Sequence, residues 1–150
     1  MKLPPDWSEF IGLLCAHRVR FLIVGAHALA AHGRPRTTQD IDFWVEPTRE
    51  NATRLCAALG EFGFPALSTA VDEFSTPERM ATLGRPPLRI DVMTSVDGLT
   101  FAEAWDERLV VEFGNQRVGF LGREALLKNK RASGRPKDLA DIALLTEGND

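Results

Sequence analysis

One stretch restricts the fold of this chain more than any other. It runs Phe21-Leu-Ile-Val-Gly-Ala-His-Ala-Leu-Ala-Ala-His-Gly33, passes through Arg-Pro-Arg-Thr-Thr-Gln, and ends Asp40-Ile-Asp-Phe-Trp-Val45. Four consecutive apolar residues from Phe21 have the length and composition of a buried strand. Gly25 interrupts them, and residues 26–31 predict a short helix closed by Gly33. A basic turn with Pro35 follows, and a second strand opens at Asp40. Period two in that strand places Ile41, Phe43 and Val45 on one face and Asp40, Asp42 and Trp44 on the other. Two residues span roughly 6.6 Å of strand, so both carboxylates can converge on cations lying between them. The strand–Gly–helix turn beside them offers backbone N–H groups suited to phosphate. Carboxylates for a divalent ion next to amides for phosphate outline a metal–nucleotide site. Asp-x-Asp alone is also the pattern of a solvated strand start. Its place after the strand–Gly–helix unit is what favours the functional reading.

A second strand of the same kind lies at residues 88–93. Leu88, Ile90 and Val92 share one face, leaving Arg89, Asp91 and Met93 on the other. Set beside the Asp40 strand, it brings Asp91 into the same cleft as a third carboxylate. Alternatively Asp91 is half-exposed and paired with Arg89 or another cation. A basic cluster, Lys128, Lys130, Arg131, Arg135 and Lys137, reads either as a solvated helical face or as a cationic wall facing the carboxylates. Asp138 and Asp141 stand among these cations at pairing distance along a helix. His27 and His32 flank the short helix; either could touch a nucleotide, and either fits a structural histidine. Trp44 could stack on a base or pack in the core.

The remaining elements follow from pattern. Asp6-Trp-Ser-Glu9 reads as a capping box, with Trp7, Phe10, Ile11 and Leu14 on one helical face. A helix opening at Pro47-Thr48 buries Ala52, Leu55, Cys56 and Leu59 and ends at Gly60 and Gly63. Residues 71–82 hold a short helix and residues 84–87 a turn. Residues 100–108 form another short helix, with Phe101, Ala104 and Trp105 inward. Residues 109–120 form a hairpin turning at Gly114-Asn115. Two closing helices divide at Gly134-Arg-Pro136, the second packing through Leu139, Ile142, Ala143 and Leu145.

With 150 residues, 44% hydrophobic and 26% charged, the chain is expected to form one domain. Its core would span about 21–121 and its C-terminal helices about 123–146. A formal net charge of -3 argues against a generally basic nucleic-acid binder while allowing a local basic patch. No run approaches the roughly 20 apolar residues of a membrane helix, and the N-terminus lacks the layout of a signal peptide. Cys15 and Cys56 sit in apolar helical patterns. These features predict a cytoplasmic protein, with no membrane partner and reduced core cysteines.

The Val-Gly-Ala-His…Asp40-Ile-Asp42 unit, followed by Arg-Ile-Asp91-Val, resembles the nucleotidyltransferase superfamily, especially its minimal forms. The closing Lys130-Arg-Ala-Ser-Gly-Arg-Pro-Lys-Asp138-Leu-Ala-Asp141 is similar to the last motif of the AbiEii-type toxin branch. The resemblance implies an α+β fold: a short mixed β-sheet flanked by α-helices, with a C-terminal helical segment. It implies Asp40, Asp42 and Asp91 as the metal-binding carboxylates for Mg²⁺ (or Mn²⁺), supported in catalysis by Lys130 and Asp138. It places Gly25 and Ala26 against the nucleotide's phosphates; the family pattern has Gly or Ser where Ala26 stands, so one hydroxyl is absent while the N–H survives. From the residues we add Thr38, Lys128 and Arg135 as nucleotide contacts. The expected reaction moves a nucleoside monophosphate from a nucleoside triphosphate to a hydroxyl of an acceptor such as RNA, protein or a small molecule. A homodimer mate or a partner protein could complete the acceptor site. The alternative is a non-catalytic nucleotide-binding or toxin–antitoxin-type interaction protein on the same fold.

Overall fold

The computed structural model describes residues 3–33, 39–85, 88–113 and 115–147. Thr38 and Gly114 lie outside the described residues. Helix α1 (Pro5–Ala16) leads into β1 (Phe21–Val24), α2 (Ala26–Ala31) and β2 (Asp40–Val45). Helix α3 (Arg49–Phe62) follows, then a 3-10 turn (Pro65–Leu67), α4 (Val71–Phe74), β3 (Met80–Leu83) and β4 (Arg89–Met93). The chain closes with α5 (Phe101–Asp106), the hairpin β5 (Leu109–Phe113) and β6 (Gln116–Phe120), α6 (Arg123–Ser133) and α7 (Pro136–Glu147). The expected mixed sheet flanked by helices is present.

The six strands lie in the order β3-β4-β2-β1-β6-β5. β1 runs antiparallel to β2, and β2 runs parallel to β4. Both faces of the sheet are covered. On one, Phe21, Ile23, Ile41, Phe43, Val45, Ile90 and Val92 pack with Phe10, Leu14, Leu55 and Leu59 of α1 and α3. On the other, Leu22, Val24 and Trp44 pack with residues of α2, α5, α6 and α7. The alternation in β2 therefore divides two cores, and the face bearing Asp40 and Asp42 is the second one. Trp44 lies in that core at 1% exposure, edge-on to Phe101 at 5.1 Å, and is not a base-stacking surface.

Four details depart from the sequence reading. Helix α1 begins at Pro5 with no side-chain cap. Proline's fixed φ starts a helix without needing an N–H partner, which draws Asp6 into the first turn. A capping box exists elsewhere, where Thr100 and Glu103 cap α5 reciprocally. Gly60 continues α3, and Gly63 ends it in the left-handed conformation. Of residues 71–82, expected to hold a short helix, 71–74 form α4 and 80–82 belong to the edge strand β3. The stripe α7 turns inward also differs: Asp138, Asp141 and Leu145 are buried, while Leu139 is 57% exposed and Ala143 is exposed. The spacing is helical, but two of its members are acids.

Candidate metal–nucleotide site

Strand register assembles the acids. β2 and β4 pair in parallel with Asp40 opposite Arg89 and Asp42 opposite Asp91, so four ionisable side chains share one sheet face. Asp91 is nearly buried, and its Oδ1 accepts from the Thr82 hydroxyl of β3 at 2.8 Å. Arg89 Nη2 donates to Asp40 Oδ2 at 2.9 Å and to Asp91 Oδ2 at 3.2 Å. Asp91 thus joins the carboxylate cluster and also pairs with Arg89, as the alternative expected, but it is buried and not half-exposed. Asp42 sits in the middle. Burial pushes its pKa up to about 6, helped by the charge of Asp91, a hydrogen bond with Asp91 and the charge of Asp40, and opposed by Arg89. A carboxylate held this far from its usual range, by burial first and by like charges second, is a place that a cation would stabilise.

Gly25 completes this corner. β1 pairs with β2 so that Val24 stands opposite Asp42, and the next residue turns with φ 71 and ψ -148. That conformation is close to a region used almost solely by glycine. A β-carbon there would collide with Asp42 Oδ2. Glycine is therefore required twice, by the turn and by the acid beside it. Gly25→Ala is expected to destabilise the fold by about 1–3 kcal/mol, measured by urea melts, and to displace Asp42. Unchanged stability would sink this account of the turn.

A cleft of about 740 Å³ opens over the acids, with Gly25 and Ala26 in its wall. Ala26 begins α2, so its N–H lacks an intrahelical acceptor. Across the cleft stand Lys130 of α6, Arg135 of the connection between α6 and α7, and Lys137 of α7. Two predicted contributors do not face it in this way. Lys128 pairs with Glu103 of α5 at 3.3 Å on the exposed surface, outside the cleft wall. Asp138 is fully buried beneath the wall: its Oδ2 accepts from Arg135 Nε at 2.7 Å, and Lys130 Nζ lies 3.5 Å from its Oδ1. The hydrogen bond from Arg135 is the largest cause holding the Asp138 carboxyl below its usual range. Lys130 Nζ also meets Asp141 at 3.0 Å. The Lys130–Asp138–Asp141 set is an internal ion cluster that fixes α7 on α6 and presents Arg135 to the cleft.

Neither His27 nor His32 lines the cleft. His27 lies edge-on to Trp7 at 5.2 Å. Burial lowers its pKa, partly countered by its hydrogen bond to the Asp40 backbone. His32 Nε2 bonds the Leu121 carbonyl at 2.9 Å. Thr82 was not singled out from sequence, because its strand had no visible pattern. Lys137, known from sequence only as one of the basic cluster, is placed in the wall by the structure.

The donor chemistry fits a hard divalent cation: three carboxylates from adjacent strands, the central one raised in pKa by burial and by its acidic neighbours. As they stand, however, no three His, Cys, Asp or Glu side chains among the described residues form a metal-holding group. Arg89 draws Asp40 and Asp91 onto itself. No helix among the described residues is long and apolar enough to cross a membrane.

No protein-family profile matches the chain, and no curated protein matches it. Solved structures share its fold. A Thermotoga maritima protein assigned as a nucleotidyltransferase aligns with TM-score 0.61 at 12% identity, over 97% of this chain and 96% of its own. The lincosamide antibiotic adenylyltransferase LnuA, solved with lincomycin bound, aligns with TM-score 0.56 at 11% identity, over 96% of each chain. An antigenic nucleotidyltransferase-like protein of Paracoccidioides brasiliensis aligns with TM-score 0.55 at 15% identity, over 95% of this chain and 75% of its own. At these identities the likeness establishes a nucleotidyltransferase-like fold.

Proposed function

We propose that this chain is a Mg²⁺-dependent nucleotidyltransferase, moving a nucleoside monophosphate from a nucleoside triphosphate to a hydroxyl of an acceptor. One observation carries the reading: Asp42 and Asp91 meet across β2 and β4 beside the obligatory glycine turn, with Asp40 one pleat away, inside a cleft walled by cations. Asp40, Asp42 and Asp91 would hold the ion. Bound there, Mg²⁺ or Mn²⁺ would neutralise phosphate charge at the reacting group and the leaving pyrophosphate. The Gly25–Ala26 turn lets the chain approach the phosphates closely and offers a free N–H. Arg135, steadied by Asp138, and Lys137 face the remaining triphosphate charge. Thr82 keeps Asp91 aimed at the cleft. Buried Lys130 supports the wall by locking α7. The acceptor, whether RNA, protein or a small molecule, would enter at the open side, and a partner chain could complete its site.

The fold shared with nucleotidyltransferases supports this reading. The finer assignment to the AbiEii-type toxin branch draws support from the Lys130–Asp138–Asp141 sequence motif, whose members meet in space. A non-catalytic nucleotide-binding role is favoured by a different observation, the pairing of Arg89 with two of the three carboxylates. The test is calorimetric titration of ATP, GTP, CTP and UTP, with and without Mg²⁺. At least one should bind in a Mg²⁺-dependent manner, and Asp40→Ala/Asp42→Ala should abolish that binding. Failure of all four to bind would overturn the reading. Binding without release of pyrophosphate in the presence of acceptor pools would leave the non-catalytic role.

A further inference from the structure

A row of carboxylates built for a divalent ion repels itself before the ion arrives, and here a guanidinium relieves that repulsion. Arg89 Nη2 alone bridges Asp40 Oδ2 at 2.9 Å and Asp91 Oδ2 at 3.2 Å. Its place is fixed by the register, which sets Arg89 opposite Asp40 one pleat from the Asp42–Asp91 pair. A Mg²⁺-type ion binds carboxylate oxygens at roughly 2.0–2.1 Å and brings its own shell of ligands. A nitrogen already at hydrogen-bond distance from the same two oxygens fills the space that shell requires. Ion and guanidinium therefore compete for the same two oxygens.

A second observation points the same way. Arg89 Nε is buried without a hydrogen-bond partner, so the bridging pose leaves one donor unsatisfied. Buried donors without partners are costly, and a pose that contains one is easier to leave. Asp91 does not depend on Arg89 alone, since Thr82 holds its other oxygen. The Arg89 side chain is 39% exposed and forms part of the cleft wall, which gives it somewhere to go.

We propose that Arg89 is a resident countercation that a divalent ion displaces, and that the freed guanidinium turns into the cleft to grip the phosphates arriving with the ion. The proposal rests on the metal-dependent reading above and adds to it an order of events. Arg89 closes the acids in the resting protein, and its planar fork then becomes a phosphate ligand. Ion and triphosphate therefore favour one another's binding through a single side chain, the ion by releasing it and the phosphates by receiving it.

The test uses Mn²⁺ alone and then the Mn²⁺ complex of inorganic tripolyphosphate, titrated calorimetrically into the full chain as wild type, Arg89→Gln, Arg89→Lys and Asp42→Asn. Removing one neighbouring positive charge should let Arg89→Gln bind free Mn²⁺ about tenfold more tightly than wild type. The same variant should bind Mn²⁺–tripolyphosphate about tenfold more weakly. Arg89→Lys keeps the charge without the fork, so it should bind free Mn²⁺ nearly as wild type does and the tripolyphosphate complex less well. Should Arg89→Gln fail to melt cooperatively, the lysine variant carries the test, and wild-type affinity for both probes would overturn the exchange. Equal or weaker Mn²⁺ binding by folded Arg89→Gln would make Arg89 a fixed strut and overturn it as well. A different failure is recognisable: no Mn²⁺ binding by wild type or Arg89→Gln, with Asp42→Asn indistinguishable from both, removes the metal site itself and both readings with it.

Discussion

Asp42→Asn is expected to destroy Mg²⁺-dependent nucleotide binding while making the folded protein more stable. Weakening an outer-sphere partner of a metal ligand typically costs about 10–100-fold in affinity, so loss of the central ligand should cost more than about 100-fold. The opposite sign for stability follows from linkage. The Asp42 pKa rises from 3.8 to about 6 on folding, chiefly through burial and the neighbouring Asp91. Below the unfolded value, both states carry the proton and the acid costs nothing. As pH rises toward 6 the unfolded chain releases a proton that the folded chain retains, so stability falls with rising pH. Above the folded value the deficit is complete, at up to about 3 kcal/mol. Asparagine keeps the shape and removes the charge. Urea melts should therefore show Asp42→Asn more stable than wild type at pH 8, with the difference closing near pH 4. A variant less stable than wild type at pH 8 would mean that Asp42 is a structural acid, with its charge already compensated.

Lys130→Met should strongly destabilise the fold. Lys130 is 7% exposed, and the side chains of both its partners, Asp138 and Asp141, are 0% exposed. Removing one member of a buried ion cluster leaves charge without its counterpart, which typically costs about 3–5 kcal/mol. Asp138 keeps its pair with Arg135, while Asp141 loses its 3.0 Å contact with Lys130. Thermal and urea melts measure the loss. In a double-mutant cycle with Asp141→Asn, the two changes should couple by about 0.5–3 kcal/mol. Additive effects would show that Lys130 supports α7 by packing and not by charge.

The two predictions draw on parts of the chain that were unequally legible. Period two alone put Asp40 and Asp42 on one face of β2 and Asp91 on the matching face of β4, because a half-apolar strand allows only one register to face each core. What pattern could not give was adjacency. That β4 would lie beside β2, and so bring the third carboxylate to it, depends on the order of the whole sheet. β3 leaves little trace in the sequence because Met80-Ala-Thr-Leu83 is a short edge strand, with Met80 64% exposed, and an edge carries little apolar alternation. The α7 stripe departs from an apolar pattern for a chemical reason. Asp138, Asp141 and Leu145 stand at helical spacing, but acids are usually assigned outward, and only the buried ammonium of Lys130 makes an inward assignment tenable. The Asp6 cap failed to form because Pro5 had already set the start of the helix.

The parallel pairing of β2 with β4 also orders the birth of the molecule. Arg89 and Asp40 touch across 49 residues of chain, with α3, α4 and β3 formed between them. During synthesis the glycine turn and two of the acids emerge long before their third companion exists. Closing that long loop costs entropy before any contact rewards it, and it must bring two like-charged carboxylates side by side. Arg89 arrives on the same strand as Asp91, so the neutralising charge is delivered with the charge it neutralises. Nucleation can begin in the local helices and in the β5–β6 hairpin. The acid row comes into being only when the sheet closes, so a partly folded chain has no site with which to bind or act.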